Sequence, residues 1–496
     1  MLVPGSTGVE PTIARTSRVP SKPHRFRSLT GCLTCRRRKK KCDENKPICV
    51  GCSRNKLQCT WPAAHPCRIA QNLKPHVASN PDKSPVQNEP SAQWSITTGS
   101  FVSLTRASAL TEASSLLFTH YVAETANLLS TTPDRNNPFL TFLVPLCHSD
   151  DLLMHSLLAL SGAHLRSTSP GIEVSLATYR HYSIVIRTIR DCISDHATMD
   201  VPQALRMLLT LMILSFFETL TGDDQGAMFS HLRASRQILV RLAKSPLTSS
   251  TDDSGRLFAF VLEIYRYLTL CNSIIPHGSM TCRTLPQDTF LDAIFGSMSH
   301  FDTHGVIFGD SHGLFEILPD IAILATRSLT EQSPSQASLE IHHELHTRIT
   351  EWRPTESAVP DQVWQGQRIA ALELCREAVL LYLKTAMVPN ALSDTPALAR
   401  IQEHVDKIML YAEQAAGSPY ETILLGPLII AGSCMLQTDQ RQLLQASLRS
   451  NRFHMHHCVR AASLLEHVWN DPGGRLFGPY GLAVMMRHRG INLAIA

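Results

Sequence analysis

Six cysteines between positions 32 and 59 constrain this chain more than any other feature. Their order is Cys32-x2-Cys35-x6-Cys42-x6-Cys49-x2-Cys52-x6-Cys59. One unit, a CxxC followed by a third cysteine after six residues, therefore occurs twice in tandem. Two thiolates separated by two residues can hold one metal from a tight turn, and the third returns after a short helix. Tetrahedral zinc takes four ligands, so two separate sites would need eight. Six cysteines serve two metals only if two of the sulfurs bridge. No apolar leader opens the chain, so a non-secreted protein is expected, where such a cluster reads as metal binding before disulfides. The other eight cysteines of the 14 are scattered, which suits small buried hydrophobes. Cys67 lies outside the repeat and reads as a free linker thiol.

Charge follows the cysteines. Residues 1–60 carry 14 Lys and Arg against 3 Asp and Glu, a balance of +11; the remainder has 32 basic and 39 acidic residues, a balance of −7. A basic head on a mildly acidic body points to a polyanion partner for the head. Arg36, Arg37, Arg38, Lys39, Lys40 and Lys41 stand in consecutive positions. Alone, such a block repels itself. Here metal ligands clamp it at both ends, and metal binding supplies folding energy that so small a unit lacks. A short helix through the run would turn some cations toward phosphates and others toward base edges, where Arg and Lys favour guanine. Lys22, Arg25 and Arg27 extend the basic region upstream, which also suits nuclear import.

GCLTCRRRKKKCDENKPICVGCSRNKLQC, residues 31–59, resembles the Zn2Cys6 binuclear cluster of fungal transcription factors. The cysteine spacing, the basic run and Pro47 in the linking loop carry the resemblance. It implies two Zn2+ ions per chain: Cys32, Cys35, Cys42 and Cys49 around one, Cys32, Cys49, Cys52 and Cys59 around the other, with Cys32 and Cys49 bridging. It further implies that Arg38 and Lys39 read bases in CGG-type triplets and that Pro47 is cis. Arg36, Arg37, Lys40, Lys41, Arg54 and Lys56 would meet phosphate or solvent. Well-known members carry Lys-Lys at the reading pair, and Arg38 departs from that.

Four segments follow: a disordered basic N-terminus over 1–30, the cluster over 31–60, a flexible linker over 61–104 and an all-α, multi-helix body over 105–496. Six prolines between 60 and 100 preclude a core there and break any zipper heptad. A homodimer would therefore need the body. At 44% hydrophobic the chain can bury a large core. Helices are expected over 110–129, 151–165, 204–220, 256–270, 369–387, 397–416 and 442–469. A stripe of Met228, Leu232, Leu239 and Leu242 marks another, and an interruption is expected near 330–338. Strand and hairpin signals are missing. The most apolar uncharged stretches, 207–217 and 423–436, fall short of the ~18–20 residues that span a bilayer.

SLLFTHYVAETANLL (115–129) and NPFLTFLVPLCHSDDLLMHSLLALSGAHL (137–165) resemble the fungal-specific transcription factor domain in its second common form. That resemblance implies a regulatory module responsive to a small-molecule inducer or a coregulator protein. Other constellations are weaker. His342-His343-Glu344-Leu345-His346 lacks the histidine that HExxH requires at 347, where Thr347 stands. His454, His456, His457 and Cys458 read as ordinary helix residues before metal ligands. Phe301, Asp302, Phe308, Asp310, Phe315, Glu316 and Asp320 mix acid and aromatic character, as a surface loop or an activation segment would. Neither a phosphate-cradling GxxxxGK[ST] nor a GxSxG nucleophile motif occurs.

The expected function is a nuclear, DNA-binding regulator of RNA polymerase II genes, of a metabolic pathway or a secondary-metabolite cluster, and not an enzyme. Double-stranded DNA is the expected partner, with no membrane. The alternative is a zinc-stabilised protein-interaction module without direct site readout.

Overall fold

The computed structural model describes residues 32–60 apart from 39, 41, 44, 46 and 47. It also describes 111–495 apart from 133–135, 194–198, 250, 276–284, 287, 332, 355–362, 388–391, 393 and 451–454. Within helices, the side chains of Arg36, Ile193, Thr248 and Ser249 are left undescribed. The expected tail 1–30 and linker 61–104, with Lys39, Lys41, Pro47, Cys67 and His454, lie outside these residues. The chain divides into two compact units, Met1–Ser95 and Ile96–Ala496.

The first unit holds two five-residue helices, α1 (Leu33–Arg37) and α2 (Val50–Arg54). It buries almost nothing but cysteine: Cys32, Cys35, Cys42, Cys49 and Cys52 form its core, with Leu57 and Cys59 partly buried against them. A hydrophobic core of ordinary kind is absent from its described residues.

The second unit is helical throughout, with no strand among the described residues. It opens with α3 (Glu112–Ala123), which Thr111 caps, and a 3-10 turn over Thr125–Leu128. Then come α4 (Asp151–Thr168), α5 (Ile172–Ile193), α6 (Val201–Thr221), α7 (Ala227–Leu242) and α8 (Asp253–Cys271). The second half comprises α9 (Thr289–Ser297), α10 (Leu318–Ser328), α11 (Gln336–Glu351), α12 (Gln365–Met387) and α13 (Thr395–Ala415). It ends with α14 (Leu425–Cys434), α15 (Thr438–Arg449), α16 (His456–Trp469) and α17 (Gly478–Arg489).

Helix α6 is the axis of this unit. Asp200 and Gln203 form a reciprocal capping box at its start, and Gly222 ends it at φ 71°. It packs on α4, α7, α8 and α16. Leu208 and Leu214 are wholly buried, a burial that contributes about 1.5–3 kcal/mol for each side chain. Asp150 caps α4 through the N–H groups of Leu152 and Leu153, and pairs with Arg206 of α6. Local helix starts and tertiary packing are thus fixed by the same carboxylate. The expected stripe on α7 is fully internal: Met228, Leu232, Leu239 and Leu242 are all buried.

By length and composition, Val201–Thr221 and Asp253–Ile274 are apolar enough to cross a membrane, longer than the uncharged run 207–217 suggested. In the fold, 89% and 83% of their most apolar windows are buried, as core helices require.

The single helix expected over 442–469 is two, α15 and α16. A continuous rod would put Leu444 and Leu465 about 31 Å apart at 1.5 Å per residue. Both instead press on one point: a Cβ at Gly432 of α14 would stand 2.7 Å from each. The chain has to reverse between them. The interruption expected near 330–338 is present, between α10 and the Ser335 cap of α11.

Neither reading of the acidic and aromatic segment 301–320 describes its aromatics. Phe308 and Phe315 are buried and meet edge to face with centroids 5.6 Å apart. Glu263 of α8, itself wholly buried, accepts N–H bonds from Gly305 (2.7 Å), Ile307 (2.8 Å) and Phe308 (3.3 Å). A carboxylate pinned to three backbone donors folds that segment inward.

Five of the scattered cysteines behave as packing residues, and Cys282 lies outside the described residues. Cys147, Cys271, Cys375, Cys434 and Cys458 are buried free thiols; burial pushes Cys375 and Cys434 up to about 12. Such thiols stay protonated and unreactive.

Candidate metal centre

The tandem cysteine units recur in three dimensions with a seventeen-residue offset. The Cys35 N–H points to the Cys32 sulfur at 3.3 Å, and the Cys52 N–H to the Cys49 sulfur at 3.3 Å. The Cys32 N–H meets the Cys42 sulfur at 3.5 Å, and the Cys49 N–H meets Cys59 at 3.4 Å. Each unit is thus a CxxC turn opening a short helix, followed by a return that lays its third thiol against the first cysteine's backbone.

Two four-sulfur groups result: Cys32, Cys35, Cys42 and Cys49, and Cys32, Cys49, Cys52 and Cys59. Within each, all sulfurs lie within 4.8 Å of one another. Cys32 and Cys49 belong to both. Sulfur separations are 3.7 Å for Cys32–Cys49, 3.7 Å for Cys32–Cys52 and 3.6 Å for Cys35–Cys49. Corners of a tetrahedron with zinc–sulfur bonds of about 2.3 Å stand about 3.8 Å apart. The thiols therefore fit zinc without rearrangement.

Electrostatics separate the shared pair from its neighbours. Burial raises the Cys32 thiol, but the Cys35 N–H and the surrounding thiols outweigh it, bringing it down to about 6. Cys49 is also lowered: burial is overcome there by the Cys52 N–H and adjoining thiols. Burial pushes Cys35 up to about 12 and raises Cys52 as well. The two thiols that are lowered are the two that belong to both groups, where a sulfur has to carry negative charge between two cations.

Other contacts close the unit on itself. The Leu33 N–H donates to the Thr60 carbonyl at 2.7 Å and the Thr34 hydroxyl to Gln58 at 2.7 Å. Asp43, directly after Cys42, accepts the Val50 N–H at 3.1 Å and so steadies the start of α2; that hydrogen bond holds its carboxyl below the usual range. Asp43 and Thr34 escaped the motif reading, because their role depends on which backbone groups the return loops present.

Residues 115–494 match the fungal specific transcription factor domain family, and residues 30–66 match the fungal Zn(2)-Cys(6) binuclear cluster domain. The chain belongs to the fungal-specific transcription factor family. Its cluster domain holds two zinc ions, and the family is one of transcription factors rather than enzymes.

Relatives of this family member match short stretches. Transcription factor lfc1 of Flammulina velutipes is 46% identical over 61 residues, 12% of this chain and 22% of that protein. The zinc cluster transcription factor CZF1 of Candida albicans is 58% identical over 41 residues, 8% of this chain and 11% of that protein. The transcriptional activator protein UGA3 of Saccharomyces cerevisiae is 26% identical over 161 residues, 29% of this chain and 30% of that protein. The matches thus span well under two thirds of these relatives. No solved structure matches.

Of the family's basic run, Arg37, Arg38 and Lys40 are exposed, as are Arg54 and Lys56 on the second half. The helix is shorter than a six-cation helix would be: α1 ends at Arg37, and Arg38 lies in the following turn. The cause is the return to Cys42, whose sulfur has to reach the Cys32 N–H. Among the described residues, three or more metal-type ligand atoms converge only in the two cysteine groups. His457 is instead buried beside Cys458 in α16, and the HHELH run lies along α11.

Proposed function

We propose that this chain is a nuclear, sequence-specific DNA-binding regulator of RNA polymerase II genes, of a metabolic pathway or a secondary-metabolite cluster. The carrying observation is the pair of four-sulfur groups sharing Cys32 and Cys49, with exposed Arg37, Arg38 and Lys40 beside them. Cys32, Cys35, Cys42 and Cys49 hold one zinc; Cys32, Cys49, Cys52 and Cys59 hold the other. Zinc neutralises the thiolates and orders a unit that has no other core among its described residues.

Arg38 and Lys39 read a G-rich, CGG-type triplet from the major groove, since guanine presents two acceptors on one edge and Arg can meet both at once. Arg36, Arg37, Lys40, Lys41, Arg54 and Lys56 face phosphates or solvent, and Pro47 shapes the loop between the halves. The helical body sets activity in response to a small molecule or a coregulator, and supplies any homodimer contact. The test compares the full chain with an Arg38→Ala, Lys39→Ala variant on CGG-containing and scrambled duplexes. Loss of discrimination with zinc still bound supports the reading. Unchanged discrimination contradicts it.

A second reading rests on exposed apolar side chains. Leu33, Ile48 and Val50 of the cluster unit are 40%, 55% and 42% exposed, a surface suited to a protein contact. The same variant separates the two, because a protein-interaction module would keep its partner binding after Arg38 and Lys39 are neutralised.

A further inference from the structure

The helical body contains a pocket of about 530 Å³ that DNA reading does not use. Small-molecule sites enclose about 300–1,000 Å³. Phe229 of α7, Leu270 of α8, Leu291 of α9 and Ala322 of α10 give it apolar walls. Thr326 and Arg327, exposed on α10, stand at its mouth.

Two adjacent residues of α8 set its chemistry. Tyr265 is 2% exposed and Arg266 5% exposed, and both line the pocket. The Tyr265 hydroxyl and the Arg266 Nε are buried without a hydrogen-bond partner among the described residues. Buried donors are ordinarily satisfied, so two orphans in one cavity point to a missing acceptor. Nearby carboxylates have partners of their own, and Glu316, whose charge also acts on Arg266, pairs with His312. Arg236 holds both oxygens of Asp288 at 2.6 Å, and Asp292 pairs with the Arg266 Nη2. Arg327 lies close enough to Glu331 for its charge to help lower that carboxyl. The wall therefore offers unpartnered donors, and its one lining carboxylate, Asp288, is held by Arg236 and not free to welcome a cation.

We propose that this pocket binds a small monocarboxylate with an apolar body. The carboxylate accepts from the Tyr265 hydroxyl and the Arg266 Nε, with Arg327 adding charge at the entrance. The hydrocarbon part displaces water from Phe229, Leu270 and Leu291. The proposal deepens the reading of the body as a ligand-responsive module and rests on it for the consequence, since binding itself requires no DNA.

Calorimetry on the full-length, zinc-loaded protein tests it with octanoate and 4-phenylbutanoate, against octanamide and octylamine as uncharged and cationic comparators. One of the carboxylates should bind, the amide about tenfold more weakly, and the amine not at all. Tyr265→Phe removes an unpartnered hydroxyl, so it should leave the melting temperature of the free protein no lower while weakening carboxylate binding about tenfold. Binding by neither carboxylate, equal binding of octylamine, or carboxylate binding untouched in a folded Tyr265→Phe protein would overturn the proposal. Carboxylate binding in a protein that fails to select DNA would instead overturn the regulator reading and leave the pocket standing.

Discussion

Cys32 and Cys49 bring their sulfurs to 3.7 Å of each other, and each is a member of both four-sulfur groups. Neither is replaceable by a neighbour, because every other cysteine of the cluster serves one group alone. The seventeen-residue repeat meets at this pair, and the α1 and α2 turns both begin there.

Zinc content should therefore depend on which cysteine is lost. Cys49→Ser removes a ligand from both groups and should leave the cluster unit unable to retain either metal. Cys59→Ser removes a ligand from one group and should retain about one zinc per chain. Metal analysis of the purified full-length variants reads this directly. Equal zinc loss in the two variants would contradict a shared sulfur.

Base and phosphate contacts should separate by salt. Arg38→Ala should relax preference at one base position, at ~1–3 kcal/mol. Lys40→Ala should weaken all duplexes about evenly and reduce the slope of log affinity against log salt by ~1. Titrations at several salt concentrations on specific and scrambled DNA distinguish the two.

The body should carry a pH signature from Glu263. Burial raises its carboxyl from 4.5 to about 7, against the opposing N–H bonds of Ile307, Phe308 and Gly305. The folded state then binds a proton that the unfolded state releases. Stability from this group is fully present below about pH 4.5 and is lost as pH rises through 7, on the order of 3 kcal/mol in all. Glu263→Gln keeps a carbonyl acceptor and cannot ionise, so the gap between variant and wild type should change across pH 5 to 8. Taking that difference isolates the carboxyl from His312, which burial lowers to about 3 and whose contribution runs the other way. Denaturant melts of both proteins check it; a constant gap would contradict the buried carboxyl.

Gly162 should tolerate no side chain. A Cβ there would stand 2.1 Å from the Thr178 hydroxyl, in the contact between α4 and α5. Gly162→Ala should destabilise the body by ~1–3 kcal/mol. Adding Thr178→Ala should restore part of the loss, and a double-mutant cycle measures how much.

Metal chemistry made a shared-sulfur cluster legible in the residue order, because six thiolates serve two tetrahedral metals only by bridging; which sulfurs bridge came from the family resemblance. The extent of α1 was not legible, because the return of Cys42 to the Cys32 N–H ends it after Arg37. In the body, long apolar helices such as α6 declare themselves. Helix α5 does not, since its buried stripe of Thr178, His181, Val185 and Ile189 is half polar. Phe308 and Phe315 read as surface residues in a polar run until Glu263, far away in sequence, draws that run inward. Tyr265 and Arg266 are adjacent in sequence and unremarkable there; only the buried, unpartnered Tyr265 hydroxyl and Arg266 Nε give them a role.

A cluster that zinc orders can read DNA only while it holds its metal. Selection of binding sites from random duplexes by the full-length protein, with and without a metal chelator, tests it most directly. Zinc-dependent enrichment of a G-rich triplet, lost on chelation, is the expected result. Failure to enrich any sequence with both zinc ions bound, or enrichment that survives their removal, would contradict it.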